Sequence, residues 1–120
     1  MIERVRFTTY HNKKILVVDV SNCSSAEIID TLRTVPDFVT VQPFSSVLLL
    51  ADFTNAQFSD EAVRVLEEVT VFDKPYIKKA AWTGTEHSLD SLREKVSQFS
   101  QREFTVFKNH LLALEWLTQD

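Results

Sequence analysis

The hydrophobic pattern is densest in an unbroken apolar run near the middle of the chain, Val47–Ala51. A strand with one face in water alternates apolar and polar residues. This run does not alternate, so it predicts a strand that is covered on both faces of a mostly parallel sheet. A helix is predicted soon after it, because Ser59 is a good N-cap and because Asp60 and Glu61 place negative charge in the first turn.

The first twenty residues predict a β-hairpin. Arg4–Tyr10 alternates apolar and polar positions, which is typical of a half-exposed strand, and its arginines discourage edge-to-edge pairing. Ile15–Val20 is a second and more apolar strand. Because the connection around His11–Lys13 is short, the two strands are expected to be antiparallel, with the first at an edge of the sheet.

Apolar residues with helical spacing follow the hairpin in the sequence. Ser24 and Glu27 have the spacing of a capping box, which predicts a helix start. Pro36 predicts a break or a fresh first turn in this helical stretch. The next piece, Phe38–Gln42, is ambiguous, because its central residues have strand propensity whereas its short length favours a second helical segment. Pro43 ends it.

The second half of the chain continues to alternate strands and helices. Strands are predicted at Tyr76–Thr83 and Glu103–Phe107. Two amphipathic helices are predicted from apolar residues spaced three or four positions apart, and Asn109 is a suitable N-cap for the second. Their buried stripes are expected to comprise Leu89, Leu92, Val96 and Phe99 in the first helix, and Leu111, Leu114 and Leu117 in the second.

The predicted order of elements is β-β-α-β-α-β-α-β-α. This alternation indicates an α/β fold with a mixed, mostly parallel five-stranded sheet, four or five helices, and right-handed crossovers after the initial hairpin. A chain of 120 residues without a linker or an internal repeat is expected to form a single domain over residues 1–120.

Composition excludes several kinds of site. The chain has one Gly, which excludes a glycine-rich phosphate-binding loop. It has one Cys, Cys23, which excludes an internal disulfide and a cysteine-based zinc site. The three histidines, His11, His87 and His110, lie far apart and lack metal-ligand spacing. We therefore expect neither a metal nor another cofactor.

Charge and hydropathy bear on partners and location. The net charge is −4, with 13 basic and 17 acidic residues, so nucleic acid is not expected as a partner, because phosphate contacts carry most of that affinity. The N-terminus lacks the layout of a signal peptide, and no apolar run approaches membrane-spanning length. Together with the single cysteine, these features predict a cytoplasmic protein.

One candidate site lies where the central strand ends and the next helix begins. In open α/β sheets, function tends to gather at the carboxyl ends of strands. The polar residues there could bind a partner or a ligand, and the acidic start of the helix could steer a basic partner, although a solvated helix face is the simpler interpretation. The candidate residues are Asp52, Thr54, Asn55, Ser59, Asp60 and Glu61.

Nearly the whole chain resembles the small bacterial SpoIIAA-like proteins of the STAS superfamily, which is named for sulfate transporters and anti-sigma factor antagonists. Their sheet is related to that of the lipid-binding Sec14 domains. The resemblance rests on Ser46–Ala56, Asp73–Lys79, Gly84 and Leu112–Leu117. It implies the fold derived above more specifically than it implies a function.

The resemblance also bears on phosphorylation. In anti-sigma factor antagonists the equivalent strand ends in Asp-Leu-Ser, and a later Asp-Ser-Ser-Gly motif carries the phosphorylated serine. The resemblance places Asp52, Phe53 and Thr54 on the first motif, Asp60 on the second aspartate and Glu61 at the phosphoacceptor. A serine kinase cannot phosphorylate a glutamate, so no phosphoacceptor serine is expected at this position.

The expected function is a non-enzymatic regulatory or protein-interaction module that forms homo-oligomers. The alternative is a carrier of a small apolar or lipid-like ligand related to Sec14-type domains, with Phe38, Phe44 and Phe53 lining a hydrophobic pocket. An enzyme using paired carboxylates would need a substrate cleft, for which a short chain without long loops offers little material. No catalytic residue is therefore predicted.

Overall fold

The computed structural model describes residues 3–84 and 88–119. The order of elements is the predicted one, with four α-helices and one short 3₁₀ turn. None of the helices in the described ranges is long and apolar enough to span a bilayer. The elements are β1 (Val5–Tyr10), β2 (Lys13–Asp19), α1 (Ser25–Val39), β3 (Val47–Asp52), α2 (Asp60–Asp73), the 3₁₀ turn (Lys74–Tyr76), β4 (Ile77–Thr83), α3 (Ser88–Ser100), β5 (Thr105–Phe107) and α4 (His110–Thr118).

The five strands form one mixed sheet in the order β1-β2-β3-β4-β5. Strand β1 is antiparallel to β2, whereas β2, β3, β4 and β5 run parallel to one another. The predicted central strand, β3, is third of five, and Val47–Ala51 is buried throughout. Its alternate side chains contribute to two different cores, which explains why the run is apolar without alternation.

The two faces of the sheet are covered unequally. Helices α1, α2 and α3 share the larger core with one side of the strands, and α4 alone packs on the other side through Ala113 and Leu117. Each crossover moves one strand further in the same direction, so connections of the usual hand place their three helices on one face. Helix α4 follows the last strand and does not connect two strands, so the handedness rule does not determine which face it covers.

The expectation of a helix break at Pro36 is wrong. Helix α1 continues through Pro36 to Val39, and the Thr40 N–H bonds to the Pro36 carbonyl at 3.0 Å. Proline removes one backbone hydrogen bond from the last turns of the helix. Val35 and Val39, on either side of it, are both buried, and this packing holds the helical path. Phe38 thus belongs to α1, and the chain leaves the helix at Thr40.

The predicted helical stripes are partly wrong. Val96 is buried in α3, but Phe99 is 54% exposed, and the side chain of Leu89 lies outside the described part. In α4, Leu117 is buried as predicted, whereas Leu111 is 59% exposed and Ala113 takes its place against the sheet. Because α4 is apolar on several sides, residue spacing alone did not identify the row that faces the core.

Basic residues from neighbouring segments bind the carboxyl ends of three helices. Arg102 Nη1 donates to the Thr70 carbonyl of α2 at 2.8 Å, and Lys74 Nζ donates to the Gln101 carbonyl beyond α3 at 3.1 Å. Lys79 Nζ donates to the Trp116 carbonyl of α4 at 3.0 Å. A helix carboxyl end carries unpaired carbonyls and partial negative charge, so these bases stabilise it.

Candidate functional site

The candidate site lies at the carboxyl edge of the parallel strands, where the loops after β2 and β3 meet. Backbone hydrogen bonds join the two loops: the Asn22 N–H donates to the Thr54 carbonyl at 2.8 Å, and the Gln57 N–H donates to the Cys23 carbonyl at 3.0 Å. Phe53 then ties the second loop to β4 through its N–H and the Thr83 carbonyl, 2.9 Å apart. The edge is thus built from two mutually fixed loops.

Two asparagines sit side by side on this edge in the left-handed backbone region. Asn22 has φ 57° and Asn55 has φ 54°, a conformation that asparagine tolerates better than most residues. The Asn55 side-chain amide donates to the Asn22 side-chain oxygen at 3.2 Å. Both residues are exposed. The pair therefore presents polar groups to solvent in a fixed arrangement.

Asp52 ends β3 and points toward the α4 face of the sheet, as Leu48 and Leu50 do on the same strand. Its Oδ1 accepts the Thr54 N–H at 3.0 Å, and its Oδ2 lies 2.9 Å from His110 Nε2. An ionised carboxylate can only accept, so Nε2 carries the proton in this contact. Asp52 and His110 therefore form a hydrogen-bonded pair across the end of the sheet.

Burial and hydrogen bonding act in opposite directions on the Asp52 carboxyl. Burial raises its pKa, but the hydrogen bonds from Thr54 and His110 outweigh burial and hold the pKa below its usual value. The side chain of Asp52 is 13% exposed, and that of His110 is 49% exposed. Asp52 is thus charged at neutral pH, and its largely buried carboxylate is hydrogen-bonded to an exposed histidine.

His110 is the site residue that sequence reasoning missed. It is the first residue of α4, whose N-cap Asn109 accepts the Leu112 N–H on its side chain at 2.9 Å. The N-cap pattern at Asn109 placed residue 110 at a helix start, but nothing in the sequence paired it with Asp52, 58 positions earlier. Of the other histidines, His11 lies 3.5 Å from Glu115, and His87 lies outside the described residues.

The remaining candidates belong to the start of α2, on the other face of the sheet. Ser59 caps this helix, because its Oγ accepts the Ala62 N–H at 3.1 Å. Asp60 and Glu61 are exposed in the first turn. The Asp52 carboxylate is directed to the α4 face, so the three carboxylates do not form one acid-base group. The cap role also accounts for Ser59 without phosphorylation.

Two exposed leucines follow His110 directly. Leu111 is 59% exposed and Leu112 is 48% exposed, although both lie in the first turn of a helix that packs on the core. We call the surface that runs from the start of α2, across the end of β3, to the start of α4 the carboxyl rim. It comprises Asp52, Thr54, Asn55, Ser59, Asp60, Glu61, His110, Leu111 and Leu112.

Metal ligands and a reactive thiol are two kinds of chemical group that a site on the rim could contain. Within the described ranges no group of three or more His, Cys, Asp or Glu side chains is placed to hold a metal ion. The nearby thiol of Cys23 is buried, and burial raises its pKa, which keeps it protonated and unreactive at neutral pH. What the rim offers is a charged carboxylate paired with a histidine, fixed amides and exposed apolar side chains.

We expect the Asp52–His110 pair to contribute to stability. Asp52→Asn should lower the free energy of unfolding at pH 7 by about 1 kcal/mol, because the half-buried, charge-assisted hydrogen bond is weakened. Urea denaturation measures this difference. The matched control is Glu115→Gln, which removes the charge from the more exposed His11 pair and should leave the midpoint unchanged. Equal effects of the two changes would contradict a special role for the Asp52 pair.

Comparison with known proteins identifies the fold. No protein-family model and no curated protein matches the sequence. A solved structure does match: an uncharacterised protein of the DUF3478 family with a SpoIIAA-like fold, from Shewanella loihica PV-4. The TM-score is 0.74 at 16% sequence identity, and the match covers 94% of this chain and 91% of that one. The chain therefore has a SpoIIAA-like fold, as its sequence resemblance predicted.

Proposed function

We propose that the protein is a non-enzymatic, cytoplasmic interaction module that binds a protein partner through the carboxyl rim. The observation that carries this proposal is the exposure of Leu111 and Leu112 next to the ordered Asp52–His110 pair. Exposed apolar side chains bordered by polar groups are typical of protein-protein contact sites. The loops that hold the rim are already fixed, so binding would require little ordering of the backbone.

The partner is expected to combine an apolar contact with basic groups. Leu111 and Leu112 would supply the apolar part, and the exposed Asp60 and Glu61 would supply negative charge at the start of α2. Complementary charge increases the association rate and orients the partner, whereas the buried apolar contact contributes more of the affinity. The partner can be a different protein or a second copy of this chain.

Regulation by serine phosphorylation at the position seen in anti-sigma factor antagonists is not part of the proposal. Glu61 occupies that position and is exposed. Negative charge is present there permanently, and it lies in the first turn of α2, where the helix dipole favours it. The surface is therefore expected to be competent for binding without modification.

A carrier of a small apolar ligand has less support, because the three phenylalanines suggested for its pocket lie in different places. Phe53 packs in the core against Trp82, with ring centroids 4.7 Å apart. Phe38 is half-buried on α1 and contacts Phe7. Phe44 is 71% exposed on the loop before β3. They do not line a common pocket.

Site-specific photo-cross-linking tests the proposal. A photoreactive amino acid replaces Glu61 on the rim, and a control replaces Lys95 on the exposed part of α3. After irradiation in cells that naturally make the protein, we expect a discrete cross-linked product from position 61 and none from position 95. Mass spectrometry then identifies the product as a different protein or as a homo-oligomer.

The same experiment with Leu111→Ser and Leu112→Ser shows whether the leucines are the contact. The cross-linked product should be lost in this double variant and kept in Phe99→Ser, which removes an equally exposed apolar side chain from α3. A product that survives the loss of both leucines would contradict docking through the rim. Turnover of a substrate that is abolished by Asp52→Asn would contradict the non-enzymatic assignment.

A further inference from the structure

The opposite edge of the sheet, at the amino ends of the parallel strands, carries two strongly exposed apolar side chains. They belong to the loop between α1 and β3, residues 40–46. Val41 is 75% exposed and Phe44 is 71% exposed, the two largest values among the exposed large apolar residues of the described chain. Neither residue belongs to the carboxyl rim. This loop presents an apolar tip to solvent.

The loop is held in this position by the rest of the protein. The Ser45 N–H donates to the Pro75 carbonyl at 2.9 Å, and the Ser46 N–H donates to the Tyr76 carbonyl at 3.1 Å. Ser45 has φ 55°, a left-handed conformation that serine rarely adopts without such support. The Phe44 ring lies 5.2 Å from the Tyr76 ring. The apolar tip is therefore a fixed feature.

Lysines surround the tip. Lys14 and Lys78 are exposed at the same edge, and neither forms an ion pair within the described ranges. Lys14 reaches the loop directly, because its Nζ lies 3.2 Å from Gln42 Oε1. Lys14, Gln42, Pro43 and Lys78 line one open cleft of about 320 Å³. The edge thus combines exposed lysine side chains with protruding apolar groups.

We propose that this amino edge binds the surface of a bilayer that contains anionic phospholipids. Val41 and Phe44 would enter the boundary between headgroups and acyl chains, and the lysines would contact the headgroup phosphates. Long lysine stems can lie along apolar surface while the ammonium groups stay in the polar layer. A protruding apolar tip fits a lipid surface better than a protein surface, because a protein would need a matching pocket.

The geometry allows the amino edge to contact a bilayer while the carboxyl rim binds a partner. The parallel strands β2 to β5 run from the amino edge to the carboxyl rim, so the two surfaces lie at opposite ends of the sheet. Binding to a bilayer through the amino edge would leave the carboxyl rim facing away from the lipid. The inference is independent of the partner proposed for the rim.

Vesicle co-sedimentation tests the proposal with the purified full chain. We expect binding to vesicles that mix phosphatidylcholine and phosphatidylglycerol, weaker binding to phosphatidylcholine alone, and loss of binding as salt is raised. Phe44→Ser should weaken binding by about tenfold, and Lys14→Gln and Lys78→Gln by about fivefold each. The matched controls on α3, Phe99→Ser and Lys95→Gln, should bind like the wild type.

All of these substitutions lie at exposed positions, so the variants should fold, and circular dichroism verifies it. Binding that is equal for the two vesicle types, or equal for Phe44→Ser and Phe99→Ser, would overturn the proposal. So would a protein cross-linked from position 44 in a chain that does not sediment with vesicles, since that result would assign the amino edge to a protein partner.

Discussion

Replacing Trp82 by alanine should lower the free energy of unfolding by about 3–5 kcal/mol, the largest effect we expect from a single substitution. Trp82 is 2% exposed in the centre of the larger core. Its ring lies 4.7 Å from the Phe53 ring and 4.5 Å from the Phe104 ring. The cavity left by the indole would be lined by these rings, which are fixed by β3 and by the segment before β5 and cannot close it.

Urea denaturation followed by far-ultraviolet circular dichroism measures the effect. The matched control is Trp116→Ala in α4, because Trp116 is only half-buried, with its ring 5.4 Å from the Phe107 ring. The control should lose clearly less stability than Trp82→Ala. Equal losses would mean that the stacked aromatic group around Trp82 does not anchor the larger core.

The second large effect is a pH dependence caused by Asp73 at the end of α2. This residue is 3% exposed, and its Oδ1 has no hydrogen-bond partner within the described part of the chain. Burial raises the pKa of the Asp73 carboxyl from 3.8 to about 6, and the nearby Arg102 guanidinium only partly opposes this shift. The folded protein therefore holds a proton that the unfolded chain releases at lower pH.

The sign follows from this difference in proton binding. Between pH 3.8 and about 6, the folded state keeps the Asp73 proton and the unfolded state has lost it, so this residue's contribution to stability falls as pH rises. A pKa shift of about two units corresponds to about 3 kcal/mol. The contribution is fully present below pH 3.8 and is lost above about pH 6.

Asp73→Asn removes this titration while preserving the shape of the side chain. The free energy of unfolding of the variant, relative to the wild type, should therefore rise by about 2.5 kcal/mol between pH 4 and pH 7. Urea titrations at a series of pH values measure it. A difference that stays constant over this pH range would show that the Asp73 carboxyl is not perturbed.

The fold could be predicted because its signals are local. The apolar run of β3 and the N-caps at Ser24, Ser59 and Asn109 each act through residues within a few positions, and all three caps are confirmed by their hydrogen bonds. The order of strands and helices then leaves few topologies. Pro36 was misinterpreted because tertiary packing of its neighbours overrides the local preference.

The site was less predictable because its main contact is not local. Asp52 was identified from its place at the end of β3, but its partner His110 depends on how α4 returns across the sheet. For the same reason, the exposure of Leu111 could not be predicted, because the sequence does not give the orientation of α4. Residue spacing within a nine-residue, largely apolar helix does not determine its rotation against the sheet.

The position of α4 in the chain has a consequence for synthesis on the ribosome. One face of the strands, including Ile15, Leu48 and Ala81, is covered by α4. Translation produces this helix after all five strands, so the nascent chain carries an uncovered apolar sheet face until α4 has left the exit tunnel. During that interval the chain is a natural substrate for chaperones that hold exposed apolar surface.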